Sequence, residues 1–390
     1  MDPVRNPFVP GAGAVPPELA GRDSILFAAD VALRRTLKGR HSQSQIMLGL
    51  RGTGKTVLLN RIAEMAEDLN LRVSFIEAPE NKALANLIVP KALQVLRKLS
   101  LVAEAKALSH QGLRALAGFI KAFKVSAGEV SLSIEPEVGV ADSGELEFDL
   151  AELFERVGKA AAAADTAWVL LVDEVQYLRQ RDLAALIVAI HRMNQRSLPV
   201  MFFGAGLPQI AGLSGDAKSY AERLFAFPKV GPLDEVSARD AIEQPIKDEG
   251  EAIDDAAIAA IVEQTRGYPY FLQEWGFQTW NAAEGSPIER EDVEDAATAA
   301  IRRLDEGFFQ VRFERLTPKE REYVFAMSSL GDGPYRSADV ASAMGETTQK
   351  LAVHRARIIG KGMIYMPAHG DLDFTVPMFA DYLRRMNDGA

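Results

Sequence analysis

The sequence predicts an α/β protein with a parallel sheet domain, followed by a helical domain and a small C-terminal domain. Three observations lead to this fold class. A glycine-rich loop, Gly49–Thr56, stands between a short apolar strand and an amphipathic helix. A second apolar run, Trp168–Val172, ends in two carboxylates at Asp173 and Glu174. From Ser237 onward the apolar spacing is helical, until a short β-ribbon closes the chain's last quarter.

The composition is that of an ordinary globular protein. The 390 residues allow two or three domains, with 25% charged and 48% hydrophobic residues. No run of about 18 apolar residues and no secretory signal are present, and the absence of cysteine excludes disulfides and Cys-ligated metals. We therefore expect a cytoplasmic protein with no membrane partner. The net charge of −10 argues against broad, nonspecific coating of nucleic acid.

One stretch meets every fixed position of the phosphate-binding pattern G-x-x-x-x-G-K-[ST], and it consists of Gly49, Leu50, Arg51, Gly52, Thr53, Gly54, Lys55 and Thr56. Glycines let the backbone wrap closely around phosphates, and the N-terminus of the following helix adds partial positive charge. Lys55 would reach the β- and γ-phosphates, the Thr56 hydroxyl would ligate Mg²⁺, and Val57 continues the same site. The sequence therefore predicts a site for ATP or ADP with Mg²⁺.

The acidic pair Asp173-Glu174 follows a strand that reads as fully buried. Because ligands bind at the carboxyl ends of strands in open α/β sheets, both acids should lie beside the phosphate loop. Asp173 would complete the Mg²⁺ site, and Glu174 would orient and deprotonate the attacking water. A solvated strand end is the alternative, which the complete upstream loop disfavours. The two motifs together predict ATP hydrolysis.

A further apolar run, Leu198–Phe203, is the candidate strand to separate the two motif strands in the sheet, and it ends in Gly204-Ala205-Gly206. Earlier in the chain, Val130, Leu132 and Ile134 alternate with serines. This alternation predicts a hairpin inserted at residues 124–141. Such a hairpin could contact a partner, but a surface excursion is favoured because long insertions cost little stability.

The last quarter of the chain opens with a capping box, Thr317-Pro318-Lys319-Glu320. Further helices are predicted at Ala338–Met344 and from Thr347 or Thr348 to about Gly360. They are followed by a two-stranded ribbon, in which residues 362–366 pair with residues 372–376 around a glycine-containing tip. Three helices and a hairpin are typical of a winged helix-turn-helix.

The third of these helices would enter a DNA major groove in such a domain. Its candidate DNA contacts are Lys350, His354, Arg355, Arg357 and Lys361. Residues 316–390 as a whole hold nine basic and nine acidic residues, so only the helix is basic. Because a fold does not fix its function, a role in internal packing without DNA stays open.

Together, the Gly21-Arg22-Asp23 entry, the phosphate loop, the Asp-Glu strand, the helical segment and the C-terminal domain resemble AAA+ ATPases of the origin-recognition and initiator-like group, and the neighbouring STAND ATPases. The resemblance covers residues 19–386 and implies a P-loop NTPase sheet domain, a helical lid and a winged helix-turn-helix. Two departures favour a slowly hydrolysing nucleotide switch over replication initiation. Gly204–Gly206 lack the polar residue that senses the γ-phosphate, so either hydrolysis is slow or another residue takes the polar role. Gly267-Tyr268-Pro269 stand where initiators carry a lid arginine.

The resemblance also implies roles for three residues. Arg22 would lie near bound nucleotide, Pro269 would close on it, and Arg223 would act as an arginine finger on a neighbouring subunit's nucleotide. Each has a simpler alternative. Arg22 could be a solvated residue at a helix start, Pro269 could only begin a helix, and Arg223 could pair with Glu222 at a helix end. Arg266 could partly replace the missing lid contact.

The predicted domains are an extended arm at residues 1–20, an ATPase domain at 21–232, a helical lid at 233–315 and a winged helix at 316–390. Two functions stay open. In the first, the nucleotide state controls binding of duplex DNA by the winged helix. In the second, the winged helix packs internally and the switch acts on another protein or on further copies of this chain.

Overall fold

The computed structural model describes residues 1–11, 13, 16–80, 82–125 and 134–388. It divides into two compact units. The first unit holds Met1–Arg22, Leu50–Gly54 and Gly231–Ala390, and the second holds Asp23–Gly49 and Lys55–Val230. The division falls inside the phosphate loop, and each unit has its own apolar core.

The second unit is built on a five-stranded parallel sheet, whose strands are β1 (Ser44–Leu48), β2 (Arg72–Glu77), β3 (Trp168–Asp173), β4 (Val200–Gly206) and β5 (Phe225–Ala226). The strand order is β2-β3-β4-β1-β5. Strands β1, β3 and β4 are buried along their whole length, which explains the apolar runs Ile46–Leu48, Trp168–Val172 and Val200–Phe203 within them. Strand β4 lies between β3 and β1, as predicted. Because all strands are parallel, the carboxyl ends of these three strands meet at one edge.

The helices of the second unit are α1 (Asp23–Leu37), α2 (Lys55–Asp68), α3 (Leu84–Leu99), α4 (Lys106–Phe123), α5 (Leu146–Ala163), α6 (Gln180–Gln195), α7 (Ile210–Ala217) and α8 (Ala221–Leu224). The helix after the phosphate loop shows why they form. Leu58, Ile62 and Ala66 recur every four residues and are all buried in one apolar cluster. Leu58 and Ile62 belong to the predicted apolar face, whose other members, Met65 and Leu69, are partly buried against the same cluster.

The predicted hairpin insertion is only partly described, because residues 126–133, with Val130 and Leu132, lie outside the described residues. Residues 134–145 contain no strand, so the predicted strand is wrong there. At the end of that segment, the backbone N–H groups of Ser143 and Gly144 donate to the buried Asp149 carboxylate in the first turn of α5. Such local side-chain bonds give the backbone an alternative to a sheet ladder.

The middle of the first unit is helical, as predicted, and contains α9 (Glu235–Asp248), α10 (Asp255–Thr265), α11 (Pro269–Ala282), α12 (Arg290–Leu304), a π-helical turn (Asp305–Gln310) and α13 (Val311–Phe313). The N-terminal arm is anchored on these helices. Phe8 is 2% exposed, and a Cβ on Gly276 of α11 would lie 2.6 Å from its ring. The Trp280 indole also donates a hydrogen bond to the Asp2 carbonyl at 2.9 Å.

The last quarter of the chain contains α14 (Pro318–Ser329), β6 (Tyr335–Arg336), α15 (Ser337–Ala343), α16 (Thr348–Gly360), β7 (Ile364–Tyr365), β8 (Asp371–Phe374) and α17 (Phe379–Asp388). The three strands form an antiparallel sheet in the order β6-β8-β7. The predicted capping box is present, because the Thr317 N–H donates to Glu320 at 2.8 Å. Strand β6 and helix α17 were not predicted. Within the described part of the chain, no helix is long and apolar enough to span a membrane.

Candidate nucleotide site

In the second unit, the carboxyl end of β3 places Asp173 against the start of α2. Oδ2 of Asp173 accepts a hydrogen bond from the Thr56 hydroxyl at 2.6 Å, and Oδ1 accepts the Glu174 backbone N–H at 2.8 Å. Asp173 is 4% exposed. Burial raises the pKa of its carboxyl, and the bonds from Thr56 and Glu174 and the charge of Lys55 oppose this shift. The structure thus brings the hydroxyl of the phosphate-loop residue Thr56 into direct contact with Asp173, the first residue of the acidic pair.

The Thr56 hydroxyl and the Asp173 carboxylate fit a Mg²⁺ ion, because this hard cation prefers oxygen ligands. Among the described residues, no cluster of three or more His, Cys, Asp or Glu side chains could hold a metal. A cation here would therefore take its remaining ligands from water and phosphate, as Mg²⁺ usually does. Lys55 and Val57, in the same first turn of α2, are buried. The N-terminus of α2 carries partial positive charge from the helix dipole, which suits a phosphate.

Glu174 lies in a sharp turn directly after β3. Its backbone is left-handed, with φ 55° and ψ 41°, a conformation that is uncommon for residues other than glycine and clusters at functional sites. Its carboxylate accepts a hydrogen bond from the Gln176 side-chain amide. Gln176 was not predicted. Two features of the sequence could have indicated Gln176. It is a polar residue two positions after the acidic pair, and the end of β4 has no polar side chain.

The carboxyl end of β4 lies beside the first glycine of the phosphate loop. The Gly49 N–H donates to the Gly206 carbonyl at 3.1 Å. Strand β4 continues through Gly204-Ala205-Gly206, all of them buried. The triplet that lacks a polar side chain is therefore part of the sheet at the same edge as Asp173.

In the first unit, the loop residues Leu50–Gly54 contact helix α11. Gly52 and Gly54 have φ values of 81° and 90°, which glycine adopts at little cost. The Gly52 carbonyl accepts the Tyr270 N–H at 3.2 Å, and a Cβ on Gly52 would lie 3.2 Å from the Tyr270 Cβ. Leu50 packs against the apolar cluster of this unit. A side chain at position 52 would be strained by the positive φ and would crowd Tyr270 of α11.

The same loop contacts the C-terminal segment and Arg22. The Arg51 N–H donates to the carbonyl of Thr375, directly after β8, at 3.1 Å. The Arg22 guanidinium donates to the carbonyls of Thr53, at 3.4 Å, and Gly231. Arg22 is 8% exposed, and burial lowers its pKa, while the charge of nearby Asp234 opposes this shift. The alternative of a solvated Arg22 is therefore wrong, because its side chain braces the loop backbone.

The predicted lid element Gly267-Tyr268-Pro269 precedes and begins α11. Pro269 is its first residue, which confirms the predicted helix break. Tyr268 is buried, and burial raises the pKa of its phenol. The Arg266 side chain is 66% exposed and lies 3.9 Å from Asp381 of α17. Its charge therefore faces a carboxylate of the C-terminal helix within this unit.

Arg223, the predicted arginine finger, lies in the short helix α8. Its side chain is exposed, and its backbone carbonyl accepts the Gln43 side-chain amide at 3.0 Å. The role of Arg223 as an arginine finger stays a prediction.

The five basic candidates on and after α16 differ in their surroundings. The Lys361 ammonium donates to Glu320 at 2.6 Å and to the Arg315 carbonyl at 2.7 Å. Glu320 is buried, and although burial raises the pKa of its carboxyl, the bonds from Lys361 and Thr317 outweigh it and the pKa is lowered. Lys361 thus neutralises a buried carboxylate at the start of α14.

The other four candidates lie on α16 itself. Lys350 is 72% exposed and pairs with Glu346 at 3.2 Å. Arg357 is exposed, whereas His354 and Arg355 are half-buried. Exposed positive charge on this helix is therefore more limited than its sequence indicates.

The comparisons with known proteins agree with this geometry. Residues 18–203 match the family model described as AAA ATPase domain, and residues 306–383 match a Domain of unknown function (DUF8462). No curated protein matches the chain significantly.

Among solved structures, the chain is similar to the Walker-type ATPase paby2304 of Pyrococcus abyssi, with 16% identity, a TM-score of 0.54 and coverage of 94% of this chain and 96% of that one. This likeness shows a shared fold. It is also similar to the Aeropyrum pernix Orc1 protein in complex with DNA, with 16% identity, a TM-score of 0.48 and coverage of 95% and 94%. Cdc6p of Pyrobaculum aerophilum is 15% identical, with a TM-score of 0.48 and coverage of 100% and 98%.

Proposed function

We propose that the protein, whose residues 18–203 match the family model described as AAA ATPase domain, is a switch that binds ATP with Mg²⁺ and hydrolyses it slowly. The observation that carries this proposal is the 2.6 Å hydrogen bond between the Thr56 hydroxyl and Asp173, next to Glu174. These residues come from separate parts of the chain and meet at the edge of the sheet where nucleotides bind in open α/β folds.

The residues at this edge divide the chemistry between them. Lys55 and the N-terminus of α2 bind phosphate, while Thr56 and Asp173 hold Mg²⁺. Bound Mg²⁺ neutralises charge on the phosphates. Glu174 orients a water molecule and accepts its proton, which typically contributes about 10²- to 10⁴-fold. The rate is slow because β4 contributes no polar side chain to place that water.

We further propose that residues 316–390 form a winged helix that reads the nucleotide state. The order α14, β6, α15, α16, β7, β8 with a three-stranded antiparallel sheet supports this assignment. Within the first unit, the Arg51–Thr375 hydrogen bond links this segment to the phosphate loop. A nucleotide can shift the winged helix between two poses only through different affinities for them.

The output favoured here is nucleotide-dependent binding of duplex DNA, with the exposed Arg357 and Lys350 on α16 as its first contacts. The second candidate is a protein-interaction switch. Two observations support this second candidate. Lys361 forms an ion pair with Glu320, and Val353 is 57% exposed in the middle of α16. An exposed apolar side chain between charged ones suits a protein surface better than a phosphate backbone.

DNA binding by the Glu174→Gln protein, with ATP, with ADP and without nucleotide, separates the two outputs. Titration from about 50 to 200 mM salt reveals phosphate contacts as a steep loss of affinity. The DNA output is supported if binding depends on nucleotide and Arg357→Ala weakens it. Substitution of Lys361, which pairs with the buried Glu320, should mainly lower stability. No binding at any salt, with ATP still held, supports the protein-interaction switch.

A further inference from the structure

One side chain bridges the ends of the two central strands in the second unit. The Gln176 Nε2 donates a hydrogen bond to Oε2 of Glu174, and its Oε1 accepts the Leu207 backbone N–H at 3.1 Å. Leu207 directly follows β4, and Glu174 directly follows β3. Gln176 therefore ties the second motif acid to the strand end that carries no polar side chain.

Both hydrogen bonds require one orientation of the Gln176 amide. A carboxylate only accepts hydrogen bonds, so the NH₂ group must face Glu174, and a backbone N–H only donates, so the carbonyl must face Leu207. In a flipped amide, the carbonyl oxygen would face the Glu174 carboxylate, and the NH₂ group would face the Leu207 N–H. The hydrogen-bond partners on both sides thus determine which end of the amide carries the oxygen and which carries the nitrogen.

The glycine at the end of β4 provides the space for this amide. A Cβ on Gly206 would lie 2.9 Å from the Gln176 Oε1 and 3.1 Å from Cγ1 of Ile210. At Gly204 a Cβ would lie 3.2 Å from Cγ2 of Val175. The triplet that lacks a polar side chain is therefore the surface on which the turn Val175–Gln176 rests.

We propose that Gln176 is a positioning residue for ATP hydrolysis, which partly compensates for the polar side chain missing from β4. This proposal rests on the proposed role of Glu174 as the base. A glutamate has several rotamers, and proton transfer needs its oxygen within hydrogen-bond reach of the water. By holding one carboxylate oxygen, Gln176 leaves the other directed to the water, and through Leu207 it fixes that direction relative to β4.

The test is Gln176→Ala, with Gln180→Ala as the matched control, an exposed glutamine at the start of α6. ATP affinity is measured by titration with a fluorescent ATP analogue and Mg²⁺, and turnover by steady-state kinetics. We expect kcat to fall at least about tenfold in Gln176→Ala, with ATP affinity within about twofold of wild type. Gln180→Ala should match wild type in both.

Two double variants distinguish positioning from structure. Adding Gln176→Ala to Glu174→Gln should cost no further kcat, because the side chain acts only through Glu174. Gly206→Ala, which fills the space of the amide, should lower kcat alone but add nothing to Gln176→Ala. Equal losses in affinity and kcat, or full additivity in both cycles, would overturn the proposal.

The outcomes also separate this proposal from the proposed function. Loss of turnover in Glu174→Gln with wild-type turnover in Gln176→Ala overturns only the positioning role. Wild-type turnover in Glu174→Gln overturns the base assignment and the positioning role together.

Discussion

Replacing Asp173 by Asn should stabilise the nucleotide-free protein while impairing Mg²⁺·ATP binding. Asp173 is buried, and burial is the largest cause of its raised pKa. Asn can keep both of its hydrogen bonds, with its oxygen accepting the Glu174 N–H and its amide donating to the Thr56 oxygen. The substitution therefore removes a desolvated charge and keeps one hydrogen bond to each of the two partners, although the Thr56 hydroxyl now accepts instead of donating.

The sign of the pH dependence follows from the raised pKa. The folded protein binds the Asp173 proton more tightly than the unfolded chain, so this group favours folding at low pH and opposes it once it is ionised in both states. The advantage of Asp173→Asn is thus largest near neutral pH. It declines as the pH falls toward the ordinary Asp range of about 3.9.

Removing such a functional charge typically raises the free energy of unfolding by about 0.5–2 kcal/mol. For a unit of this size, each kcal/mol raises the Tm by roughly 2–4 °C. The assay is the apo Tm of wild type and variant between about pH 8 and pH 5, with the exposed Asp216→Asn in the same unit as control. Mg²⁺-dependent ATP affinity should fall at least tenfold, about 1.4 kcal/mol. A lower apo Tm of Asp173→Asn at pH 8 would refute the reasoning.

Two further predictions concern the nucleotide site and its assembly. Lys55→Ala should weaken ATP binding at least about 100-fold, or ~2.7 kcal/mol, because it removes the phosphate-facing charge; an unchanged affinity in a nucleotide titration would remove the loop assignment. Arg223→Ala should lower turnover only if subunits complete each other's sites, so wild-type turnover per subunit should then rise with protein concentration. Concentration-independent turnover, with a monomer by light scattering, would exclude a finger acting between subunits.

The central strands of the parallel sheet and the two nucleotide motifs were predictable because each carries its signal in consecutive residues. The loop Gly49–Thr56 needs glycine where its backbone is left-handed, as Gly52 and Gly54 are. Buried β3 and β4 read as continuous apolar runs because neither has a solvent face.

The contacts that complete the site were not predictable, because they depend on which strands are neighbours. Gln176 meets the N–H of Leu207, 31 residues away, only because β4 lies beside β3. The basic pattern of α16 likewise overstated its exposed charge, since Lys361 pairs with Glu320, 41 residues earlier.

The same limit applies to the N-terminal arm. Its Pro- and Gly-rich sequence predicts an extended segment and gives no sign that Phe8 fills a space against Gly276.

The most direct test of ATP hydrolysis at this site compares ATP retention and turnover in Glu174→Gln with wild type. The variant keeps the phosphate loop, Thr56 and Asp173, so it should hold ATP and Mg²⁺ with wild-type affinity. Turnover should fall at least about 100-fold, or ~2.7 kcal/mol of barrier, because the group that accepts the proton is gone. Wild-type turnover with unchanged ATP affinity would contradict the assignment of Glu174 as the base.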